Sequence, residues 1–349
     1  MEMPIRIGIN GFGRIGKIAA RIISANPVKY KIACINVRNA DLDYMAYMLK
    51  YDSTFGRFNG DVGTYENGLV INGEKVPVTA ESDAKNAGWG EYGADYIIEA
   101  TGAYLTSEKS SLHLGAGAKK VVLSAPAKDA QIPTFVYGVN HQKYRSDMDI
   151  VSAASCTTNC ISPVCKVLAD NFGIESGLMS TIHSATAKQK VVDSRVDKDW
   201  RVGRSTFGNI IPTTTGVAKA FDLVFPELAG RVSGVAYRVP TADVSLVDFN
   251  VMLERKTSLP EICQKMKEAS EANLKDVLFY STDKTVSTDF LGCPAASVFD
   301  ATMGIQISDR FFKLIAYYDN EWGYTSNLLR LISYMNNADS EDSVSRAFR

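Results

Sequence analysis

The chain has 349 residues, 46% hydrophobic and 22% charged, a globular composition long enough for two domains of ordinary size. Its formal net charge of −1 provides no electrostatic drive toward nucleic acid or an anionic membrane. No run approaches the ~20 apolar residues of a membrane span, the six cysteines lack zinc-ribbon or secreted-scaffold spacing, and no leader pattern precedes "IRIGINGFGRIG", so a reduced cytoplasmic compartment is expected.

"PIRIGIN" places isoleucines at 5, 7 and 9, the two-residue period of a strand. "RIGKIAARIISAN" follows with Ile15, Ile18, Ala19, Ile22 and Ile23 on one helical stripe. "YKIACIN" reads as a second strand, "LDYMAYMLKYD" as a helix, and "DYIIEATG" and "KKVVLSAP" as further buried strands. That alternation predicts a mostly parallel, doubly wound sheet. Between the first strand and helix, Gly11-Phe12-Gly13-Arg14-Ile15-Gly16 matches G-x-G-x-x-G in the context that makes the pattern informative. Gly11 allows a tight turn, Gly13 a close backbone approach by a pyrophosphate, and Gly16 close helix–strand packing. The Rossmann-type sites that prefer NAD carry an acid at the end of the second strand; here Val37 and Arg38 follow "KIACIN". An arginine without the acid suits a 2′-phosphate, so NADP or dual cofactor use is expected.

Beyond about residue 150 the pattern turns to long alternating strands, "GLMSTIHSATA", "VSGVAYRVP", "ADVSLVDFNVMLE" and "FKLIAYYDN". A helix near Leu259–Ala272 and a loop-rich segment from Asp193 to Thr215 interrupt them. An α+β domain with a largely antiparallel sheet is expected, then a helix over "TSNLLRLISYMNNA" and a frayed polar tail.

"SAASCTTNC" sets Cys156 at a helix start, where the dipole and free N–H groups favour thiolate. Ser155, Thr157 and Thr158 are candidate caps, and Pro163 predicts a kink. Cys160 and Cys165 read as buried packing. A nucleophilic thiol needs a base. Of three histidines, His113 and His141 lie in polar, loop-like surroundings, whereas His183 sits mid-strand among small hydroxyl residues; a core histidine and a partner for Cys156 are both open readings. The cysteine spacing supplies no convincing metal ligand set.

Together "INGFGRIG", "YDSTFGRF", "SAASCTTNC", "IHSATAKQKVVD", "NIIPTTTGVAKA", "YRVPTADVSLVDF" and "YDNEWGY" resemble the phosphorylating glyceraldehyde-3-phosphate dehydrogenase family, in its order and spacing from about residue 4 to 336. The resemblance implies that Cys156 attacks the aldehyde of glyceraldehyde 3-phosphate with His183 as base and then acid. Hydride passes to NAD or NADP, and inorganic phosphate, the co-substrate, releases 1,3-bisphosphoglycerate from a thioester. It implies that Thr186 and Arg238 hold the C3 phosphate, and that Ser155, Thr157, Thr215 and Gly216 hold the inorganic phosphate. Asn320 is implied to orient the nicotinamide, with Thr101, Gly102 and Ser124 lining the cofactor cleft. The implied division is a dinucleotide-binding domain over 1–155, completed by a C-terminal helix over 320–349, and a catalytic domain over 156–319. A homotetramer is implied, with no membrane and no required nucleic acid.

The chain departs from the family in ways that bear on the cofactor. Asn-Asp of NAD-dependent members reads Asn36-Val37 here, and Asp-Gly-Pro or Asp-Leu-Pro reads Asp193-Ser194-Arg195. Both departures remove bulk or charge where a 2′-phosphate sits and add donors in Arg38, Ser194 and Arg195. Glu81-Ser82-Asp83-Ala84 replaces Glu-Arg-Asp-Pro on the adenine side. The alternatives are an erythrose-4-phosphate dehydrogenase and a non-catalytic binding role on the same fold.

Overall fold

The alternating isoleucines form β1 (Ile5–Asn10), buried on both faces inside an eight-stranded sheet. The computed structural model describes residues 3–197 and 199–347. These divide into two units, one holding the chain to Phe135, His141–Ala154 and everything from Leu328 on, the other Val136–Asn140 and Ser155–Asn327.

In the first unit, α1 (Arg14–Ser24) buries the stripe of Ile18, Ala19, Ile22 and Ile23. β2 (Tyr30–Asn36) leads to α2 (Leu42–Lys50), whose cap Asp41 accepts the Tyr44 N–H at 3.0 Å. Next come β3 (Val62–Tyr65), β4 (Gly68–Ile71), β5 (Glu74–Thr79), β6 (Tyr96–Glu99), α3 (Ser107–Gly115), β7 (Lys120–Leu123) and β8 (Ile150–Ser152). The sheet order is β3-β4-β5-β2-β1-β6-β7-β8; it is parallel from β5 to β8 and antiparallel from β3 to β5. Parallel strands end on one side. Asn10, Asn36 and Glu99 therefore form a row across the carboxyl ends of β1, β2 and β6.

The second unit begins with α4 (Cys156–Phe172) and continues through β9 (Ile174–His183), β10 (Ile211–Thr214), α5 (Val217–Val224), β11 (Val232–Arg238), β12 (Ser245–Leu253) and α6 (Leu259–Glu271). β13 (Leu278–Ser281), β14 (Ser297–Gln306) and β15 (Phe311–Tyr318) complete its sheet, and α7 runs Trp322–Ala347. The order is β10-β11-β9-β12-β15-β14-β13, antiparallel except at β11–β9 and β13–β14. β12 alternates buried and half-buried residues along its length, the signature of a strand with one face on the core. α4 packs against β12, β14 and β15. The fold thus comprises a doubly wound, parallel-rich α/β unit and an α+β unit with a mostly antiparallel sheet.

Several expectations change. His183 is the last residue of β9 rather than mid-strand. His113 lies inside α3 and is fully buried, its Nδ1 accepting the Trp89 indole N–H at 3.0 Å; His141 is buried at the start of a short helical turn. The segment from Asp193 to Thr215 contains a turn at Trp200–Gly203 and β10, paired with β11. The polar tail is helical to Ala347, because Asp339 accepts the Tyr96 and Tyr144 hydroxyls at 2.6 and 2.8 Å and Asp342 the Ser146 hydroxyl at 2.6 Å. Residues 1–2 and 348–349, within the expected domain limits, lie outside the described residues. Residues 320–327 belong to the second unit, where Asn327 donates to Asn159 Oδ1 at 2.8 Å.

Candidate active site

The glycine loop after β1 has the geometry that its sequence requires. Gly11 holds φ at 93°, and a Cβ there would stand 2.7 Å from Thr101 Cγ2. A Cβ on Gly16 would stand 2.0 Å from the Gly11 carbonyl oxygen, so α1 lies against the loop at a separation only glycine permits. Gly13, the cap of α1, has open space where a Cβ would be and no side chain occupying the helix start. Arg14 pairs with Asp52 through both guanidinium nitrogens, and Asp52 Oδ1 accepts the N–H groups of Thr54 and Phe55 at 2.9 and 3.1 Å. Phe12 and Ile15 are half-buried.

Beside this loop lies a buried carboxylate that sequence reading passed over. Glu99, at the end of β6, has no solvent exposure. Its Oε2 accepts Asn10 Nδ2 at 2.6 Å and faces His113 Nε2 at 3.2 Å; its Oε1 accepts the N–H groups of Thr101 and Gly102 at 2.7 and 3.2 Å as well as the Thr101 hydroxyl. Trp89 can only donate, so His113 Nδ1 is the acceptor and its Nε2 proton points at Glu99. Asn36 extends the row, donating to Asn10 Oδ1 at 2.8 Å and accepting from Thr79 Oγ1 and the Glu81 N–H. Ser124 Oγ donates to the Glu99 carbonyl at 2.8 Å. Val37 is half-buried and its N–H bonds Thr79 O at 3.0 Å, while Arg38 is exposed.

In the second unit Cys156 is the first residue of α4. Ser155 caps it, its Oγ accepting the Thr158 N–H at 3.1 Å and meeting Thr158 Oγ1 at 2.8 Å. Cys156 Sγ lies 3.4 Å from His183 Nε2. His183 Nδ1 lies 2.9 Å from Ser184 O and 2.5 Å from Arg238 Nη1, a strand neighbour in the β9–β11 register. These last two contacts exclude each other: the carbonyl needs a proton on Nδ1, the guanidinium a lone pair. Burial, then the Arg238 charge, push the imidazole down to about 3, so it is neutral at neutral pH. Burial pushes the Cys156 thiol up, and Arg238 with the Thr157 hydroxyl and N–H pull it back. The expected dipole effect on the thiol is therefore outweighed by desolvation in this form.

Arg238 Nε is buried without a partner, an unsatisfied donor on a cation. Thr186 donates by Oγ1 and N–H to Gln189 Oε1 at 2.7 and 2.9 Å. Thr157 Oγ1 meets the buried Tyr318 hydroxyl at 2.9 Å, which also meets Thr181 Oγ1 at 2.8 Å. Thr215 Oγ1 accepts the Val217 N–H at 3.3 Å, and Gly216 caps α5 with open space at its Cβ position. Register sets Ile211 beside Arg238 and Thr214 beside Val235, so Thr215 and Gly216 are not next to Arg238 on the strand. Asn320 Oδ1 accepts the hydroxyls of Ser184 and Ser245 at 2.9 and 2.7 Å, which fixes the amide with its NH₂ as the remaining donor. Ser194 and Arg195 are exposed, and the Ser194 hydroxyl donates to Val192 O at 3.0 Å.

Residues 155–320 match the family model for the C-terminal domain of glyceraldehyde 3-phosphate dehydrogenase, and residues 5–107 match the model for its NAD-binding domain. The chain belongs to the glyceraldehyde-3-phosphate dehydrogenase family. It is 50% identical over 337 residues to glyceraldehyde-3-phosphate dehydrogenase 1 of Mucor circinelloides f. lusitanicus, covering 97% of this chain and 99% of that protein. It is 50% identical to the Bacteroides fragilis (strain YCH46) glyceraldehyde-3-phosphate dehydrogenase over 94% and 98% of the two chains, and 48% identical to the protein named cytosolic glyceraldehyde-3-phosphate dehydrogenase in Gracilaria gracilis over 96% and 99%. It is accordingly a nicotinamide-dependent oxidoreductase acting as a phosphorylating glyceraldehyde-3-phosphate dehydrogenase. No helix among the described residues is long and apolar enough to cross a membrane.

Within the first unit, the glycine loop leaves open space at Gly13 at the start of α1, a chemistry that fits the pyrophosphate of a nicotinamide dinucleotide. Within the second unit, the Asn320 amide is fixed with its NH₂ as a donor. Sequence reading missed Glu99, Gln189, Ser184, Ser245 and Tyr318, all of which orient residues that it had chosen. Their signal is tertiary: nothing in "IEATG" or "LIAYYDN" distinguishes a buried hub from an ordinary strand end.

Proposed function

We propose that the enzyme oxidises glyceraldehyde 3-phosphate through a Cys156 thioester, with NADP or both NADP and NAD as acceptor. The observation that carries the reading is the 3.4 Å contact of Cys156 Sγ with His183 Nε2 at the start of α4. His183 Nε2 takes the thiol proton, the sulfur attacks the aldehyde carbon, and the Cys156 N–H with the imidazole stabilises the oxyanion. When bound, the nicotinamide accepts the hydride that leaves the hemithioacetal. Inorganic phosphate then attacks the thioester and 1,3-bisphosphoglycerate leaves.

For Nε2 to act as base, Nδ1 must keep its proton on Ser184 O, which requires Arg238 to release it. A substrate C3 phosphate draws the Arg238 guanidinium away, with Thr186 as the second ligand. Ser155, Thr157, Thr215 and Gly216 bind the attacking phosphate. The hydroxyls of Ser155, Thr157 and Thr186 are engaged internally here, so each exchanges a protein partner for a phosphate oxygen. Asn320 donates to the nicotinamide carboxamide and sets the ring face. Gly11, Phe12, Gly13, Arg14 and Ile15 form the pyrophosphate loop, with Thr101, Gly102 and Ser124 at neighbouring strand ends.

Cofactor preference is assigned to Val37 and Arg38, with Ser194 and Arg195 contributed by a neighbouring subunit of a homotetramer. The exposure of Arg38, Ser194 and Arg195 supports this, since none is packed away in the chain's own core. The dinucleotide is bound by the first unit and catalysis belongs to the second, in a cytoplasmic enzyme. The test is initial rates with glyceraldehyde 3-phosphate and inorganic phosphate, titrating NAD and NADP separately. The expected result is kcat/KM for NADP at least equal to that for NAD, and a fall of about tenfold or more for NADP alone in Arg38→Ala. A strong NAD preference unchanged by that substitution sinks the 2′-phosphate assignment.

A further inference from the structure

Asp243, between β11 and β12, has no part in the chemistry above, yet it is only 4% exposed. Its Oδ1 accepts the N–H of Val244 at 2.8 Å, and Val244 is held at φ 61°, a conformation that a β-branched residue rarely adopts. Its Oδ2 is buried with no ordinary donor against it. What it meets is a second buried carboxyl, Asp319, just after β15. Asp319 is amply supplied: Oδ2 accepts the Gly292 N–H at 2.8 Å, and Oδ1 accepts those of Glu321 and Trp322 at 3.0 and 2.6 Å. Two ionised carboxylates cannot be buried against each other, so one proton must lie between them. Burial raises the Asp319 carboxyl too, and three N–H donors with the Asp243 contact pull it back down. Asp243 Oδ2, which lacks any donor, is the oxygen that carries the proton.

We propose that Asp243 is a positioning residue of the dehydrogenase, a carboxylic acid that stays protonated in the working enzyme and, by donating to Asp319, fixes the turn carrying Asn320. The inference deepens the reading above and rests on it for the role of Asn320. Asp319 immediately precedes Asn320 and closes the turn into α7 through two of its three bonds. Ser245, two residues after Asp243, donates to Asn320 Oδ1. The pair thus borders Asn320 on two sides, through the turn after Asp319 and through the segment that carries Ser245, while Ser184 holds the amide independently.

Burial first, then the charges of Asp319 and Glu321, push the Asp243 carboxyl up to about 9, a titration that belongs to the pair. Cys156 faces the same group from α4, and an ionised Asp243 raises its thiol further. The unfolded carboxyl titrates near ~3.9, so the folded state holds a proton that the unfolded chain lacks from about pH 4 to about 9. Asp243 thus contributes stability that is full at low pH and declines through that window, by up to about tenfold per pH unit in the folding equilibrium.

Asp243→Asn keeps the shape and offers Asp319 a permanent N–H. Infrared spectra of the wild-type protein should show a protonated-carboxyl band at pH 7 that disappears near pH 9. The band should be absent in Asp243→Asn, and in Asp319→Asn it should disappear at a lower pH than in the wild type, because the second carboxyl charge no longer holds the proton on Asp243. Nicotinamide cofactor affinity, measured by calorimetry, should weaken near pH 9 in the wild type and stay flat in Asp243→Asn. Absence of the band in the wild type, or its persistence in Asp243→Asn, overturns the proposal whatever the turnover. A band that behaves as expected beside an unmoved cofactor profile overturns the link to Asn320 and leaves the thioester chemistry standing. If Asp243→Asn does not fold, the wild-type infrared titration decides alone.

Discussion

A neutral imidazole 3.4 Å from a neutral thiol is a base waiting for a proton, and the residues around it determine when it can take one. Arg238 and Ser184 compete for His183 Nδ1, so the position of the Arg238 guanidinium sets which tautomer the imidazole holds. His183→Asn removes Nε2 basicity while leaving a polar group toward Ser184. The expected outcome is a fall of about 10²–10⁴-fold in kcat/KM with a slowed pre-steady-state burst; an unchanged burst would exclude His183 as the base. The buried imidazole also has a stability signature. Its folded value of about 3 lies below the ordinary 6.5, so the unfolded chain binds a proton that the folded one refuses, and stability falls as pH drops between those values. The thiol was legible from a cysteine at a helix start, whereas for His183 the residues alone left a core histidine and a partner both open until the family resemblance favoured the pair. The Arg238 contact was not legible, because it depends on the parallel register of β9 with β11, two strands separated by nearly fifty residues in sequence.

Elements show a different balance of what local sequence carries. The β1–α1 unit was readable because two periods, two residues and then 3.6, meet at three glycines, of which Gly11 and Gly16 have a steric reason in the fold and Gly13 leaves the helix start open. The C-terminal tail was misread as frayed because its composition is polar, although polar residues can hold a helix by bonding to what it packs against. Asp339 is the anchor, accepting two buried phenols at once, and burial with that carboxylate raises both Tyr96 and Tyr144 above the ordinary phenol range. Asp339→Ala orphans both hydroxyls. It should destabilise the protein by about 1–3 kcal/mol for each one left unsatisfied, read from the denaturant midpoint. Asp339→Asn, which can still accept, should lose much less. A midpoint unmoved by Asp339→Ala would return the tail to the frayed state that its composition suggested.

Across the whole molecule, the row of Asn36, Asn10 and Glu99 illustrates what single-sequence reading cannot reach. Each residue ends its own strand unremarkably; only the parallel order β2-β1-β6 lines them up. The buried carboxylate of this region ends β6 rather than β2 and faces inward. That hub has a consequence for how the protein breathes. Thr101 and Gly102 are open to water on their outer side, and their side of the loop reads as surface. Their N–H groups, however, end on Glu99 Oε1, whose carboxylate is tied to Trp89 through His113. Releasing them strips the buried Oε1 of its backbone donors, so local opening there is coupled to loosening of the core. In amide hydrogen exchange these two loop positions should be as slow as the centre of β6, against the fast exchange of neighbouring exposed residues, and Glu99→Gln should selectively quicken them.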